Sequence, residues 1–184
     1  MIPSVQMITS LQGDLFYSSF DVTSHRKTIC NILSGALNQK VNYNDIPLND
    51  LGRPDLSSWG IDANWTHSHN TCVLVYSFNA NVGVDLEFHK KRPIKLANRF
   101  FHSDEIQAIH DQKDPLLSEH LFFQLWTRKE AFYKCFGGSF FKDVLPRSML
   151  HEDEVMFSFL EPSLGDLEER PYSFCIVASL KHNS

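Results

Sequence analysis

The longest helical pattern in the chain ends just before a pair of glycines. Leu121, Leu125, Phe132 and Phe136 recur at the spacing of one helix face, and Gly137-Gly138 behind them supply a stop. Pro115 and Ser118 open the same helix. A second stripe, Ile29, Ile32, Leu33, Ala36 and Leu37, predicts a helix from Ser24 to about Asn38, with Thr23 or Ser24 as its cap. Shorter helices fit residues 94–101 and 104–111, the latter capped by Ser103 with Asp104 and Glu105 in its first turn. Thr71–Phe78, rich in β-branched and aromatic residues, reads as a buried strand. Asn79-Ala80-Asn81 turns it back and Val82–Phe88 returns, which predicts a hairpin. Val155–Leu160 and Tyr172–Leu180 read as two further strands, joined by a polar loop. Residues 1–20 form an irregular or stranded lead-in, and residues 39–62 are loop-rich, punctuated by Pro47, Gly52, Pro54 and Gly60.

Helix and strands therefore occur on both sides of residue 80, in an α+β chain. At 184 residues it suits one domain or two small, intimate halves, expected at 1–80 and 81–184. Fifteen Phe residues supply a large aromatic core. A net charge of −5 argues against a general nucleic-acid binder. Cys30, Cys72, Cys135 and Cys175 are scattered, without metal spacing or a dense disulfide framework, and are expected to be reduced. The start of the sequence lacks the basic and apolar regions of a signal peptide, and no apolar run approaches a membrane span. A cytoplasmic protein without membrane contact is the expectation.

Two stretches concentrate chemistry. Alternation along Val82–Phe88 sends Val82, Val84 and Leu86 to the core and Gly83, Asp85 and Glu87 to the opposite face. The two carboxylates then have Cα atoms about 6.5 Å apart, beside a glycine expected to leave room for a ligand. Such a face suits a hard cation such as Mg²⁺, though it equally suits the solvent side of an amphipathic strand. In WTRKEAFYK (126–134), Glu130 and Lys134 lie one turn apart on one face, and Lys129 lies about 100° round from Glu130. An ordinary surface Glu–Lys pair has the same spacing. Arg26 and Lys27 stand in a helix's first turn, where cations are disfavoured, as solvated residues or as anion ligands. The run His89-Lys90-Lys91-Arg92-Pro93, with Lys95 and Arg99, could meet an acidic partner or be a solvated loop; Phe100 and Phe101 read as core.

Taken in order, LGRP (51–54), NWTHSHN (64–70), VGVDLE (82–87), RFFHSDE (99–105) and WTRKEAFYK (126–134) resemble the 4′-phosphopantetheinyl transferases. The resemblance is closest to the single-chain type that serves surfactin synthetase, and it runs from about residue 24 to 180. It implies two similar α+β halves in a pseudo-twofold arrangement, with the active site in the cleft between them. It also implies transfer of the 4′-phosphopantetheine arm of coenzyme A to a serine of an apo acyl or peptidyl carrier protein, with Mg²⁺, releasing 3′,5′-ADP. On that resemblance Asp85, Glu87 and Glu130 are the metal carboxylates, and Glu130 is also the base for the incoming serine. Lys134 neutralises the bridging phosphate, and Lys129 meets the pyrophosphate or the pantetheine arm. His67 and Arg26 hold coenzyme A phosphates, and Arg53-Pro54 lines the adenine pocket. A monomer is expected. His69 stands where many relatives carry glycine. The alternatives from other classes are a non-catalytic carrier-binding module and a Mg²⁺-dependent pyrophosphatase acting on coenzyme A.

Overall fold

The computed structural model describes residues 3–10, 12–50, 52–89, 94–151, 157–162, 164 and 171–181. Strands β1 (Gln6–Ser10) and β2 (Gly13–Asp21) form an opening hairpin, followed by α1 (His25–Leu37). Strands β3 (Asp62–Ser68) and β4 (Thr71–Ser77) form a second hairpin, and β5 (Ala80–Phe88) leaves it. Helices α2 (Lys95–Phe100), α3 (Ser103–His110) and α4 (Pro115–Phe136) precede β6 (Ser158–Leu160) and β7 (Tyr172–Leu180). All pairings are antiparallel, in sheets of order β1-β2-β4-β3 and β5-β7-β6. The molecule is α+β.

The apolar pattern builds three cores. Ile29, Ile32 and Leu33 of α1 pack on Leu74 and Tyr76, on one face of the first sheet. The alternate residues of the same strand, Val73 and Val75, meet Val82, Val84, Leu86 and Ile176 between the sheets. On the far face of the second sheet, Phe122, Leu125 and Phe132 of α4 pack on Phe159, Cys175 and Val177. Every residue of β4 is buried because both its faces are covered.

The expected hairpin between residues 71–78 and 82–88 does not form. β4 is central in its sheet, between β2 and β3, while β5 pairs with β7. The turn at Phe78-Asn79 carries the chain from one sheet to the other. The helix caps also move. Asp21 accepts from Thr23 N at a short turn before α1, and Ser24 makes no side-chain cap bond. His102 rather than Ser103 caps α3, in a capping box completed by Glu105. Asp114 caps α4, and Gly137, at φ 73°, ends it.

Among the described residues no strand pairing joins the two sheets. Instead β3 lies along β5, and its side chains reach across. Asp62 Oδ2 accepts from Val82 N at 2.7 Å, Thr66 Oγ1 donates to Asp85 at 3.2 Å, and Ser68 Oγ accepts from Phe88 N at 3.3 Å. The polar face of β3 is spent on this seam.

Candidate active site

The site is built where α4 crosses β5. Gly83 makes the crossing possible: a Cβ there would lie 2.0 Å from the Ala131 carbonyl oxygen and 2.5 Å from Cys135 N. The space expected for a ligand is taken by the helix backbone. Only glycine lets strand and helix approach this closely.

One turn of α4 from that crossing, Lys134 reaches the carboxylate strand. Its Nζ donates to Asp85 Oδ1 at 2.7 Å and to Thr66 Oγ1 at 3.3 Å. Asp85 is only 5% exposed. Its second oxygen, Oδ2, is buried with no hydrogen-bond partner. Glu87 and Glu130 stand half-buried nearby in sequence, on β5 and α4. The predicted carboxylates thus sit on two elements packed together. Among the described residues, however, no three His, Cys, Asp or Glu side chains are gathered at metal-holding distance. The donor chemistry still fits a hard cation, because an orphaned buried carboxylate oxygen is costly until a cation or donor meets it.

Lys129 does not serve this cleft. It is 0% exposed and pairs at 2.8 Å with Glu105, itself wholly buried. Its ammonium also donates to the carbonyls of Leu145 at 2.9 Å and Arg147 at 2.5 Å, using its three protons, and lies 4.8 Å over the Phe101 ring. Burial holds its pKa below the ordinary 10.5, with the Glu105 carboxylate pulling the other way. Glu105 accepts in addition from Met149 N and His102 N. The pair fastens α3, α4 and the 145–149 segment together. About 100° round a helix turned out to be far enough to leave the cleft.

Arg53 and Pro54 line a cavity of about 630 Å³, with Tyr43, Asn64, Trp65, Lys134 and Phe136 among its other walls. The Arg53 guanidinium is occupied. Nε donates to the Lys134 carbonyl at 2.6 Å, and Nη2 donates to Asp62 at 2.6 Å and to the Val82 carbonyl at 2.9 Å. It therefore caps the C-terminal turn of α4, where carbonyls lack helical partners and a cation is favoured. Asn64 is buried on the cavity wall, and its Oδ1 has no hydrogen-bond partner. Cys135 is also on the wall, its thiol pushed up to about 12 by burial.

Arg26 and His67 come together with groups the sequence did not single out. Arg26 is exposed, its guanidinium 5.1 Å above the Tyr43 ring. The ring of His25, at the start of α1, lies 6.5 Å from that of His67 and 6.4 Å from that of Tyr43. Tyr43 in turn lies 6.1 Å from Trp65. A basic patch thus adjoins the aromatic wall of the cavity. His67 projects from β3, not from a loop. His69 turns the β3–β4 hairpin at φ 48°, a left-handed conformation that favours glycine. Lys90, Lys91 and Arg92 lie outside the described residues, while Lys95 and Arg99 are exposed on α2. Phe101 is buried in the core, with Phe100 packed against it. Asp62, Asn64, Thr66 and Glu105 were the residues missed. The first three sit in a polar stretch without strand alternation, and Glu105 has the place of a first-turn acid.

Residues 81–171 match the profile of the 4′-phosphopantetheinyl transferase superfamily. The 4′-phosphopantetheinyl transferase HetI of Nostoc sp. is 28% identical over 149 residues, covering 77% of this chain and 59% of that protein. The 4′-phosphopantetheinyl transferase AcpT of Escherichia coli is 34% identical over 124 residues, covering 66% of this chain and 58% of its own. The 4′-phosphopantetheinyl transferase gsp of Aneurinibacillus migulanus is 34% identical over 90 residues, covering 48% of this chain and 36% of its own. The chain thus spans less than two thirds of the length of each of these relatives. No described helix is long and apolar enough to cross a membrane.

Proposed function

We propose that this chain, which belongs to the 4′-phosphopantetheinyl transferase superfamily, moves the 4′-phosphopantetheine arm of coenzyme A onto a serine of an apo carrier protein and releases 3′,5′-ADP. The observation that carries the reading is the pairing of Lys134, which lines a 630 Å³ cavity, with Asp85 buried behind it. Lys134 lines that cavity and joins it to a buried carboxylate on β5, and an ammonium beside a carboxylate suited to a cation is what transfer from a diphosphate needs.

In this reading Asp85, Glu87 and Glu130 hold Mg²⁺. The ion, when bound, neutralises phosphate charge and orients the diphosphate. Glu130 takes the serine proton, directly or through a water. Lys134 neutralises the oxygen that leaves with 3′,5′-ADP. The serine oxygen forms the new P–O bond as the diphosphate P–O bond breaks. Arg26 supplies positive charge, and His25 and His67 supply ring N–H groups, for a phosphate at the far end of the cofactor, beside the aromatic wall. Pro54 lines the adenine pocket, and Arg53 sets its shape through the bonds to Lys134, Asp62 and Val82.

The two halves support a pseudo-twofold plan with the site in the cleft between them. β2-α1-β3-β4 and β5-α4-β6-β7 share one connectivity, and the last strand is central to each trio. The domain boundary near residue 80, the surfactin-synthetase-like subtype, a monomer and a cytoplasmic location belong to the same proposal. Incubation with coenzyme A and Mg²⁺, with and without apo carrier protein, tests it. Carrier mass should rise by one phosphopantetheine arm. Coenzyme A cleaved without carrier would indicate a pyrophosphatase instead, and carrier bound without coenzyme A turnover would indicate a binding module.

A further inference from the structure

In the cleft, an ammonium already occupies the carboxylate that the proposed reaction reserves for a cation. Lys134 Nζ lies 2.7 Å from Asp85 Oδ1, and Thr66 Oγ1 donates to the same oxygen at 3.2 Å. The second oxygen of Asp85 is buried and unpartnered. The ammonium thus already neutralises Asp85, leaving Glu87 and Glu130 as the other carboxylates of the proposed site. A divalent cation arriving alone at Oδ2 would share the Asp85 carboxylate with Lys134, two like charges in a poorly screened site. An anion able to contact both cation and ammonium relieves that local repulsion, and a diphosphate is such an anion.

We propose that Lys134 is an internal competitor for the divalent cation. It holds Asp85 until a diphosphate-bearing substrate draws its ammonium away, so that cation and substrate enter the site together. The proposal rests on the reading of Asp85 as a cation ligand. The movement it requires is confined to a side chain. The Lys134 backbone is anchored by Arg53 Nε on its carbonyl at 2.6 Å, whereas the four-carbon stem is flexible and the ammonium rotates freely among acceptors. Whatever is gained by the cation when the substrate binds is gained equally by the substrate when the cation binds.

Mn²⁺ binding to the folded protein tests this without turnover. Free Mn²⁺ is followed by its electron paramagnetic resonance signal during titration, with neither coenzyme A nor carrier protein present. Lys134→Met should bind Mn²⁺ roughly ten-fold tighter than wild type. Lys134→Arg, which keeps the charge, should stay near wild type, and Asp85→Asn should lose the site. Lys134→Gln repeats the test should the methionine variant not fold. If the neutral Lys134 variants bind Mn²⁺ no tighter, while Asp85→Asn still abolishes binding, the competition is refuted and the cation-site reading stands. If Asp85→Asn binds like wild type, Asp85 is not the ligand, and that reading falls together with the competition.

Discussion

The two sheets carry their helices in different ways. In the first, the 13-residue helix α1 lays an aliphatic stripe, Ile29, Ile32 and Leu33, on its sheet, and the polar groups gather at its N-terminal end. In the second, the 22-residue helix α4 crosses its sheet over a glycine and buries polar side chains as well, Thr127 and Lys129 among them. Its C-terminal turn brings Lys134 onto Asp85. The first half presents Arg26 and His67 to solvent, and the second holds charge in a dry interface. Closeness of helix to strand is what separates them. Where backbones nearly touch, side chains on either flank are pressed together out of water, and their electrostatics become strong enough for chemistry.

The comparison breaks most sharply at the carboxylates. Asp85→Ala is expected to lower kcat by on the order of 10³-fold, read from carrier loading, with the melting temperature changed little. Glu130→Ala should behave alike. The double variant should lose far less than the product of the two effects, because the residues act as one unit. Full multiplicativity would separate them.

Next in size is the buried pair. Lys129→Ala leaves the Glu105 carboxylate unpaired in the core and should cost about 3–5 kcal/mol in urea unfolding. Lys129→Met with Glu105→Leu should recover much of that loss. Gly83→Ala pushes a methyl into the backbone of α4 and should cost about 1–3 kcal/mol, with a larger fall in activity than in stability, since Lys134 moves with the helix. A Gly35→Ala change in α1, where a Cβ meets nothing within 4 Å, should be neutral or mildly stabilising.

Smaller effects belong to the first half. His67→Ala should raise the KM for coenzyme A about ten-fold, the scale of one charge-assisted hydrogen bond, and leave kcat nearly intact. If it meets the 3′-phosphate, dephospho-coenzyme A will show no such change. Smallest is the Cys135 thiol. Its pKa of about 12 keeps it protonated at pH 8, so iodoacetamide should leave it unmodified in the folded protein and label it once urea is added.

Much of this was legible because it is local. Helical spacing and a Gly-Gly stop located α4, and alternation along 82–88 correctly divided Val82, Val84 and Leu86 from Asp85 and Glu87. What sequence could not give was partnership between distant segments. An apolar strand followed by a turn and another strand suggests a hairpin, yet both edges of β4 are taken by β2 and β3, which sends β5 to the other sheet. β3 has no strand signature in sequence because its polar face is buried in the seam, where Asp62 and Thr66 replace a backbone ladder. Lys129 looked available because its partner, Glu105, comes from another helix. The glycine of the carboxylate strand was read as empty space because nothing local announces a helix lying on it.

That seam has a consequence for handling the protein in pieces. β3 and β5 are each the last strand of a sheet, and each shelters the other's open edge. A fragment ending near residue 80, or beginning there, would present a strand edge with unsatisfied amides to solvent. Such edges recruit one another. Halves expressed separately should therefore self-associate into strand-paired aggregates, unless mixing the two fragments covers each edge with its native neighbour.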